Sequence, residues 1–296
     1  QDLEKIVEVK GAIKRVRVAI LFDWDSNWAL NRGGGFGRPT RLGIQVLQKH
    51  YANFWHKDIE CNVITSDMDF SQYDLLIAPM LYLIRQDTMK KLQKFVQSGG
   101  TLVSSYFSGM VDSNDRVNLD GWPKPLQDIF GIEPKELDTL LPGEHYHVSF
   151  NQKEYETTDY DQIMKVKNAS VLGYYTDNFY VGTPAITRHQ YGKGTAYYIG
   201  ARLSAEFIED FYDDIIQSLN LDNSFVELSN PVVSVQTRYN EDYAYHFVMN
   251  FSEQVQMVNF RRPSFDLLTQ REVTKSVQID KYGVMILKER QNNTLH

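Results

Sequence analysis

The first strong pattern in the chain is an apolar run, Val16–Phe22, which stops abruptly at the polar and tryptophan-containing segment Asp23–Trp28. A run rich in β-branched residues predicts a strand that is buried on both faces of a parallel sheet. The segment after it is predicted to be a loop at the carboxyl end of that strand, where open α/β sheets place ligands or partners. Because Trp24 and Trp28 are costly to leave in water, we expect this loop to meet another surface. The alternative is that both indoles fold back onto their own domain.

The pattern that follows alternates between apolar runs of strand length and amphipathic stretches of helix length. It predicts a helix over 40–56, strands over 59–64 and 75–78, a helix over 85–98 and a strand over 101–105. Such alternation with short connections favours a mainly parallel sheet with helices on both faces. Right-handed crossovers would then bring the loops after Phe22, Ala78 and Ser105 to one edge of the sheet.

The next part of the chain has a less regular pattern. The prediction is a short helix over 123–130, a polar tyrosine-rich segment over 145–160, strands over 170–175, 184–190 and 195–200, and a helix over 204–219. Gly192 and Gly194, on either side of Lys193, are expected to supply positive φ for a tight hairpin. Ser204 is expected to cap the last helix, whose broad apolar face should pack on the sheet.

Beyond Asn220 the character of the chain changes to short alternating strands between Val232 and Leu287, which predict a small antiparallel β-sandwich. We therefore expect three parts: residues 1–14 as the remnant of a preceding domain or linker, 15–225 as the α/β domain, and 226–296 as a small all-β domain. Residues 2–10 have the pattern of the charged end of a helix, so the chain is expected to be a piece of a longer protein.

Composition narrows the classes of function. The chain has 296 residues, 42% of them apolar, and a net charge of −7, which disfavours binding to nucleic acid or to an anionic membrane. No apolar run approaches the length of a membrane-spanning helix. Cys61 is the single cysteine, which favours the cytoplasm, and its strand context predicts a packed thiol.

Two segments have the outline of catalytic loops but lack the required spacing. Residues Gly33–Gly37 follow a strand and precede a helix, as in phosphate-binding sites, but fit neither common glycine motif. A mobile, backbone-exposing loop is the simpler interpretation. Residues Ser104–Gly109 occupy the place of a nucleophile elbow but do not match G-x-S-x-G, so nucleophilic catalysis is not expected there.

Three other groups contain residue types that occur in metal or catalytic sites. His145 and His147 share a strand face and are two possible metal ligands, but no third ligand of matching spacing is evident. Glu154 and Glu156 also share a face, and we expect them to be solvated rather than catalytic. The turn around Arg116 lacks the residues of a calcium loop, and a turn network with Asp112 or Asp115 is the ordinary interpretation. No cofactor is predicted.

Four blocks, in this order and spacing, closely resemble the carboxyl-terminal half of family 42 glycoside hydrolases, the β-galactosidases of that family. The blocks are Phe22–Leu30, Ala78–Tyr82, Gly99–Leu102 and Ser108–Val117. Pro142-Gly143-Glu144, Leu267-Leu268-Thr269 and Tyr282-Gly283-Val284 are also similar to that family.

The resemblance implies a three-domain parent that hydrolyses terminal β-D-galactosides with retention. An amino-terminal barrel would carry both catalytic glutamates, so no catalytic residue is assigned in this chain. The α/β domain would be flavodoxin-like, similar to class I glutamine amidotransferases, and would assemble a homotrimer, while the small β-domain follows it. The residues expected to line the subunit contact and the active-site rim are Asp23, Trp24, Asp25, Trp28, Gly34, Phe36 and Arg116.

Two alternatives remain open at this point. One is a stand-alone amidotransferase-like enzyme, which the missing nucleophile elbow opposes. The other is a carbohydrate-binding module centred on Trp122, Tyr174, Tyr175 and Tyr180, since flat aromatic faces suit sugar rings.

Overall fold

The chain forms two compact units in a computed structural model that describes residues 2–32, 41–118, 121–222, 225–227 and 232–291. One unit contains Arg17–Tyr51 and Cys61–Ile215. The other contains Gln1–Val16, Ala52–Glu60 and Ile216–His296. The candidate site lies in the first of these, called the α/β unit below.

Half of the sheet in the α/β unit is parallel, as predicted. Its strands are β1 (Val18–Leu21), β2 (Cys61–Ile64), β3 (Leu75–Ala78), β4 (Thr101–Ser105) and β10 (Gly194–Ile199), in the spatial order β2-β1-β3-β4-β10. Every residue of β1, β3 and β4 is buried, which explains why β1 and β3 are continuously apolar. The helices that follow β1 along the chain are α2 (Trp24–Arg32), α3 (Gly43–His56), α4 (Gln86–Gln97), α5 (Lys124–Phe130) and α6 (Ala205–Ser218).

The other half of the sheet is antiparallel and was only partly predicted. It contains β5 (Ile132–Thr139), β6 (Tyr146–Phe150), β7 (Lys153–Val166), β8 (Ser170–Tyr175), β9 (Pro184–Tyr191) and β11 (Ala201–Leu203). The polar segment 145–160 is not irregular: it forms β6 and most of β7, which pair with each other. Together the two halves make a sheet of eleven strands within the described residues.

The β9–β10 hairpin needs its two glycines for different reasons. Gly192 has a positive φ of 63°, as predicted for a tight turn. Gly194 does not have positive φ. A Cβ atom at Gly194 would lie 2.2 Å from the carbonyl oxygen of Gly100, so close packing of two backbones requires that glycine.

The second unit is built on a small β-sandwich, as predicted. Its strands are β12 (Val233–Tyr239), β13 (Tyr243–Asn250), β14 (Gln256–Asn259), β15 (Ser264–Asp266), β16 (Arg271–Val273), β17 (Ser276–Ile279) and β18 (Val284–Arg290). A five-stranded sheet, β12-β13-β18-β15-β16, and the β14–β17 pair enclose one apolar core. Strands β16 and β17 follow each other closely in the sequence but belong to different sheets.

The amino-terminal segment belongs to the second unit. It contains α1 (Asp2–Lys5) and a short 3₁₀ helix (Val7–Val9). Ala12 is buried in a cluster with Tyr245, Leu267 and Ile286, and Ile6 and Val9 pack against the same cluster. These residues therefore contribute to a hydrophobic core of the small β-domain.

Candidate functional site

The turns at the carboxyl ends of the parallel strands are bound to one another. Three backbone N–H groups that follow β3 donate to serine hydroxyls of neighbouring turns: Met80 to Ser105 at 3.0 Å, Leu81 to Ser108 at 3.1 Å and Leu83 to Ser26 at 3.2 Å. The prediction that the loops after Phe22, Ala78 and Ser105 meet at one edge is confirmed.

Two residues at this edge have unusual backbone conformations. Met80, directly after β3, has a φ of 49°, and Phe107, shortly after β4, has a φ of 67°. Positive φ in a bulky residue is rare and typically costs 1–3 kcal/mol. Such strain tends to occur at functional sites, which makes this edge the candidate site of the unit.

The serines at this edge support the turns rather than offer a nucleophile. Ser104, Ser105 and Ser108 are all buried. The Ser104 hydroxyl donates to the carbonyl oxygen of Ala78 at 2.9 Å, and the other two accept from backbone N–H groups. This use of the hydroxyls removes support for the amidotransferase-like alternative.

The segment after β1 is a helix, and the prediction of a loop there is wrong. Asp23 is the reason: its Oδ1 accepts from the N–H of Ser26 at 2.9 Å, and its carbonyl oxygen accepts from the N–H of Asn27 at 3.0 Å. An aspartate at that position is a strong helix-start signal, which the sequence did contain. Helix α2 follows at once and buries Ala29 and Leu30.

The opposite face of α2 carries the two indoles, and we call Trp24 and Trp28 the tryptophan face. The two rings lie 5.8 Å apart, and Phe22 meets Trp24 edge-on at 4.8 Å. Trp24 is 55% exposed and Trp28 is 54% exposed. Within the unit the indoles therefore pack against each other rather than folding back into the core.

A charged network holds the first turn of α2. Nη1 of Arg85 lies 3.2 Å from Oδ2 of Asp23, and Nη2 of Arg85 pairs with Asp25. The hydroxyl of Ser66 donates to the same Asp23 oxygen at 2.6 Å. Because Asp23 is almost fully buried while Asp25 is exposed, Asp23 is the residue that fixes the helix.

We expect Asp23→Ala to lower the free energy of unfolding by about 1–2 kcal/mol, because the helix loses its cap and Arg85 loses a partner. Asp23→Asn retains a capping oxygen but removes the charge, so it should cost less than Asp23→Ala. Urea denaturation of both variants measures the difference. Equal losses would mean that the charge, and not the cap, is what Asp23 contributes.

Arg116 lies on the loop beside this helix. Oδ1 of Asp112 accepts from the N–H groups of Asn114 at 2.8 Å and Arg116 at 3.0 Å, which confirms the predicted turn network. The loop is attached through Val111, which is buried in a cluster with Ala29 of α2. Gly34 and Phe36, the remaining predicted rim residues, and the Gly33–Gly37 loop lie outside the described residues.

The histidines considered as metal ligands pair with separate carboxylates. Nδ1 of His145 lies 3.1 Å from Glu156, and Nδ1 of His147 lies 2.8 Å from Asp177. Asp177 raises the pKa of His147 above its usual value. In the described part of the chain, no three His, Cys, Asp or Glu side chains are grouped as a metal site requires.

The aromatic residues considered as a sugar platform are mostly core residues. Trp122, Tyr175 and Tyr180 are buried, and only Tyr174 is exposed. A sugar ring needs an accessible aromatic face, so the carbohydrate-binding interpretation of this set is wrong. Cys61 is partly buried, and burial raises the pKa of its thiol to about 12, as expected for a packed cysteine.

Sequence reasoning missed a buried arginine behind the tryptophan helix. Arg202 donates through Nε to the Tyr106 hydroxyl, through Nη1 to Asp159 and through Nη2 to the carbonyl oxygen of Arg41, each at 2.8 Å. Arg41 in turn donates to the carbonyl oxygen of Leu30 at 2.8 Å, near the end of α2. Only long-range contacts define this network, so no local sequence signal marked it.

Two family models match the chain. The β-galactosidase trimerisation domain matches residues 16–222, and the β-galactosidase C-terminal domain matches residues 232–289. No helix in the described ranges is long and apolar enough to cross a membrane.

The chain is similar to curated β-galactosidases that are much longer. It is 44% identical over 286 residues to β-galactosidase GalA of Bacillus licheniformis, covering 97% of this chain and 42% of GalA. It is 44% identical over 287 residues to GanA of Bacillus subtilis, covering 97% of this chain and 43% of GanA. Among solved structures, it matches Gan42B, a GH42 β-galactosidase from G. stearothermophilus, with a TM-score of 0.93 and 44% identity, covering 98% of this chain and 42% of Gan42B. The chain thus spans about two fifths of the length of these relatives.

Proposed function

We propose a function from one premise, which is that this chain belongs to glycoside hydrolase family 42 and matches the trimerisation and C-terminal domains of its β-galactosidases. The function is assembly: the α/β unit joins three copies of the protein. The surface that makes the contact is the tryptophan face of α2, with Asp23, Asp25 and the Arg116 loop beside it.

One observation carries this proposal, namely that two indoles are exposed on a helix that is rigidly held. Large exposed apolar side chains cost free energy in water, and tryptophan is enriched among the residues that dominate binding at protein interfaces. The Asp23–Arg85 pair and the Ser26–Leu83 hydrogen bond fix the helix on the sheet. A fixed helix loses little conformational entropy when a partner covers the indoles, which favours association.

We propose further that the parent protein hydrolyses terminal β-D-galactosides with retention, through two carboxylates of an amino-terminal barrel. This chain is not assigned a catalytic residue. Its role in hydrolysis would be to wall the mouth of the barrel's active site with the edge that carries α2. A cytoplasmic location is part of the same proposal, and the presence of a single cysteine, Cys61, is consistent with it.

We expect the unmodified chain to have a solution mass near three times 34.4 kDa in multi-angle light scattering. Replacing both Trp24 and Trp28 with alanine should shift that mass toward the monomer, because the contact loses its two largest apolar groups. Each anchor of this kind is typically worth 2 kcal/mol or more, which is roughly a 30-fold change in the dissociation constant.

Met257→Ala is the matched control, since Met257 is also exposed and apolar but lies on β14 of the small β-domain. This variant should keep the trimer mass. Urea denaturation of the tryptophan variant should show a nearly normal transition, because half-exposed rings contribute little to the core. A trimer that survives loss of both indoles would remove the tryptophan face from the contact.

A further inference from the structure

A second exposed apolar surface lies at the turn between β8 and β9, and we call it the hairpin face. It consists of Tyr174, Phe179 and Val181. Phe179 is 72% exposed and Val181 is 59% exposed. A projecting phenylalanine at a turn is as unusual in water as the paired indoles, so this surface also requires an explanation.

The hairpin face is fixed by buried groups beneath it. Phe179 packs edge-on against Tyr180 at 4.8 Å, and the Tyr180 hydroxyl donates to the buried carboxylate of Asp161 at 2.8 Å. Asp177, in the same turn, accepts from the backbone N–H of His147 at 2.8 Å. The exposed side chains therefore stand on a turn that is tied to the sheet at several points.

The position of the hairpin face relative to the tryptophan face follows from the sheet. Strand β8 is antiparallel to β9, β9 is antiparallel to β10, and the strands from β10 to β1 are parallel. Strand β8 thus runs in the same direction as β1, and both surfaces lie at the carboxyl edge. Five strand spacings separate β8 from β1, which is roughly 24 Å.

We infer that the hairpin face of one copy receives the tryptophan face of the next copy, and this inference rests on the homotrimer proposed above. In a closed ring of three, each contact joins two different surfaces of the protomer. Two separate surfaces on one edge of a rigid sheet, at β8 and at β1, meet that requirement. Charge agrees, because Asp177 borders the hairpin face and exposed Arg32 ends the tryptophan helix.

The first test compares two variants by light scattering. Phe179→Ser with Val181→Ser should weaken the trimer at least roughly 30-fold, as the tryptophan variant does. Met257→Ser is the matched control, since Met257 is exposed on β14 of the small β-domain and belongs to neither face. If the hairpin variant keeps the trimer while the tryptophan variant loses it, this inference is wrong and the proposed function stands. If the tryptophan variant keeps the trimer, both fail.

The second test identifies which surfaces touch. Asn31, one turn beyond Trp28 on α2, and Val181 are each replaced with cysteine in separate chains that carry Cys61→Ala. A short bis-maleimide should give a covalent dimer when the two chains are mixed, and little product with either chain alone. If Asn31→Cys links mainly to itself, the tryptophans meet around the three-fold axis and the inference is overturned. Absence of any mixed product would overturn it as well.

Discussion

Replacing Arg202 with methionine is expected to lower the free energy of unfolding by about 3–5 kcal/mol at neutral pH. The guanidinium is almost fully buried and donates to Tyr106, Asp159 and the carbonyl oxygen of Arg41. Methionine fills similar space but leaves these acceptors without that donor. Since the Asp159 carboxylate is only 28% exposed, water replaces the lost partner incompletely.

The matched control for Arg202→Met is the double variant that also carries Asp159→Asn. Asp159 has a positive φ of 62°, which asparagine tolerates well, so this change removes the charge without new backbone strain. The double variant should recover a substantial part of the loss, as measured by urea denaturation. Losses that simply add would show that the pair is not coupled and that packing around Tyr106 explains the effect.

The same substitution connects stability to the candidate site. Arg202 fixes the carbonyl oxygen of Arg41, and the Arg41 guanidinium binds the carbonyl oxygen of Leu30 in α2. Without Arg202, the carboxyl-terminal turn of α2 loses indirect support, while Asp23 and Arg85 still hold the first turn. The tryptophan face is therefore stabilised from both ends of its helix by residues that do not belong to it.

The parallel half of the sheet could be predicted from the sequence because its strands are buried on both sides. The prediction for 75–78 and 101–105 agrees with β3 and β4 at both ends. A continuous apolar run that ends at a glycine or a polar residue is compatible with few structures other than a buried strand. This pattern also located the edge at which the candidate site lies.

Part of the antiparallel half escaped prediction because strands such as β7 carry polar residues on both faces. In β7, Thr157, Asp161 and Gln162 are buried, while Glu154 and Glu156 are exposed. Hydrophobic patterning identifies a buried strand by its apolar side chains, so the polar sequence of β7 does not predict a buried strand. The hydroxyls of Tyr180 and Tyr198 donate to the side chains of Asp161 and Gln162 from later strands and turns, which no local window contains.

For the candidate site, the sequence indicated which residue types matter but not how they are arranged in space. The indoles stood out by composition, but their arrangement on a helix depended on the Asp23 cap, which was present in the sequence and overlooked. Arg85 and Arg202 could not be assigned, because each acts through contacts with residues far away in the chain. A glycine at the start of a strand, such as Gly194, likewise gives no sign that another backbone passes 2.2 Å from its missing Cβ.

Replacing Asp161 with asparagine should stabilise the protein at pH 7.5 by about 2–3 kcal/mol and have little effect near pH 4. Asp161 is fully buried: its Oδ2 accepts from Thr157 and Tyr180, and its Oδ1 has no hydrogen-bond partner. Burial, with smaller contributions from Asp138 and Asp177, raises the pKa of Asp161 to about 6 from an ordinary value of 3.8.

The sign of the pH dependence follows from that shift. Below about pH 4 the carboxyl group is protonated in both states, so it contributes no pH dependence. Between about pH 4 and pH 6 the unfolded chain loses the proton and the folded chain retains it, which destabilises the folded state. About two pKa units correspond to roughly 3 kcal/mol, which is fully lost by the time the pH passes the folded pKa near 6. Asparagine keeps an oxygen for Thr157 and Tyr180 but has no proton to lose.

The measurement is urea denaturation of the wild-type chain and Asp161→Asn at several pH values from 4 to 7.5. The difference between the two free energies of unfolding should grow up to about pH 6 and then remain constant, because all other groups cancel in the comparison. Asp128→Asn, at an exposed carboxylate paired with Lys124, should change stability by less than about 0.5 kcal/mol. A difference that does not vary with pH would mean that Asp161 titrates like an ordinary aspartate, and the support beneath the hairpin face would then be a fully charged carboxylate.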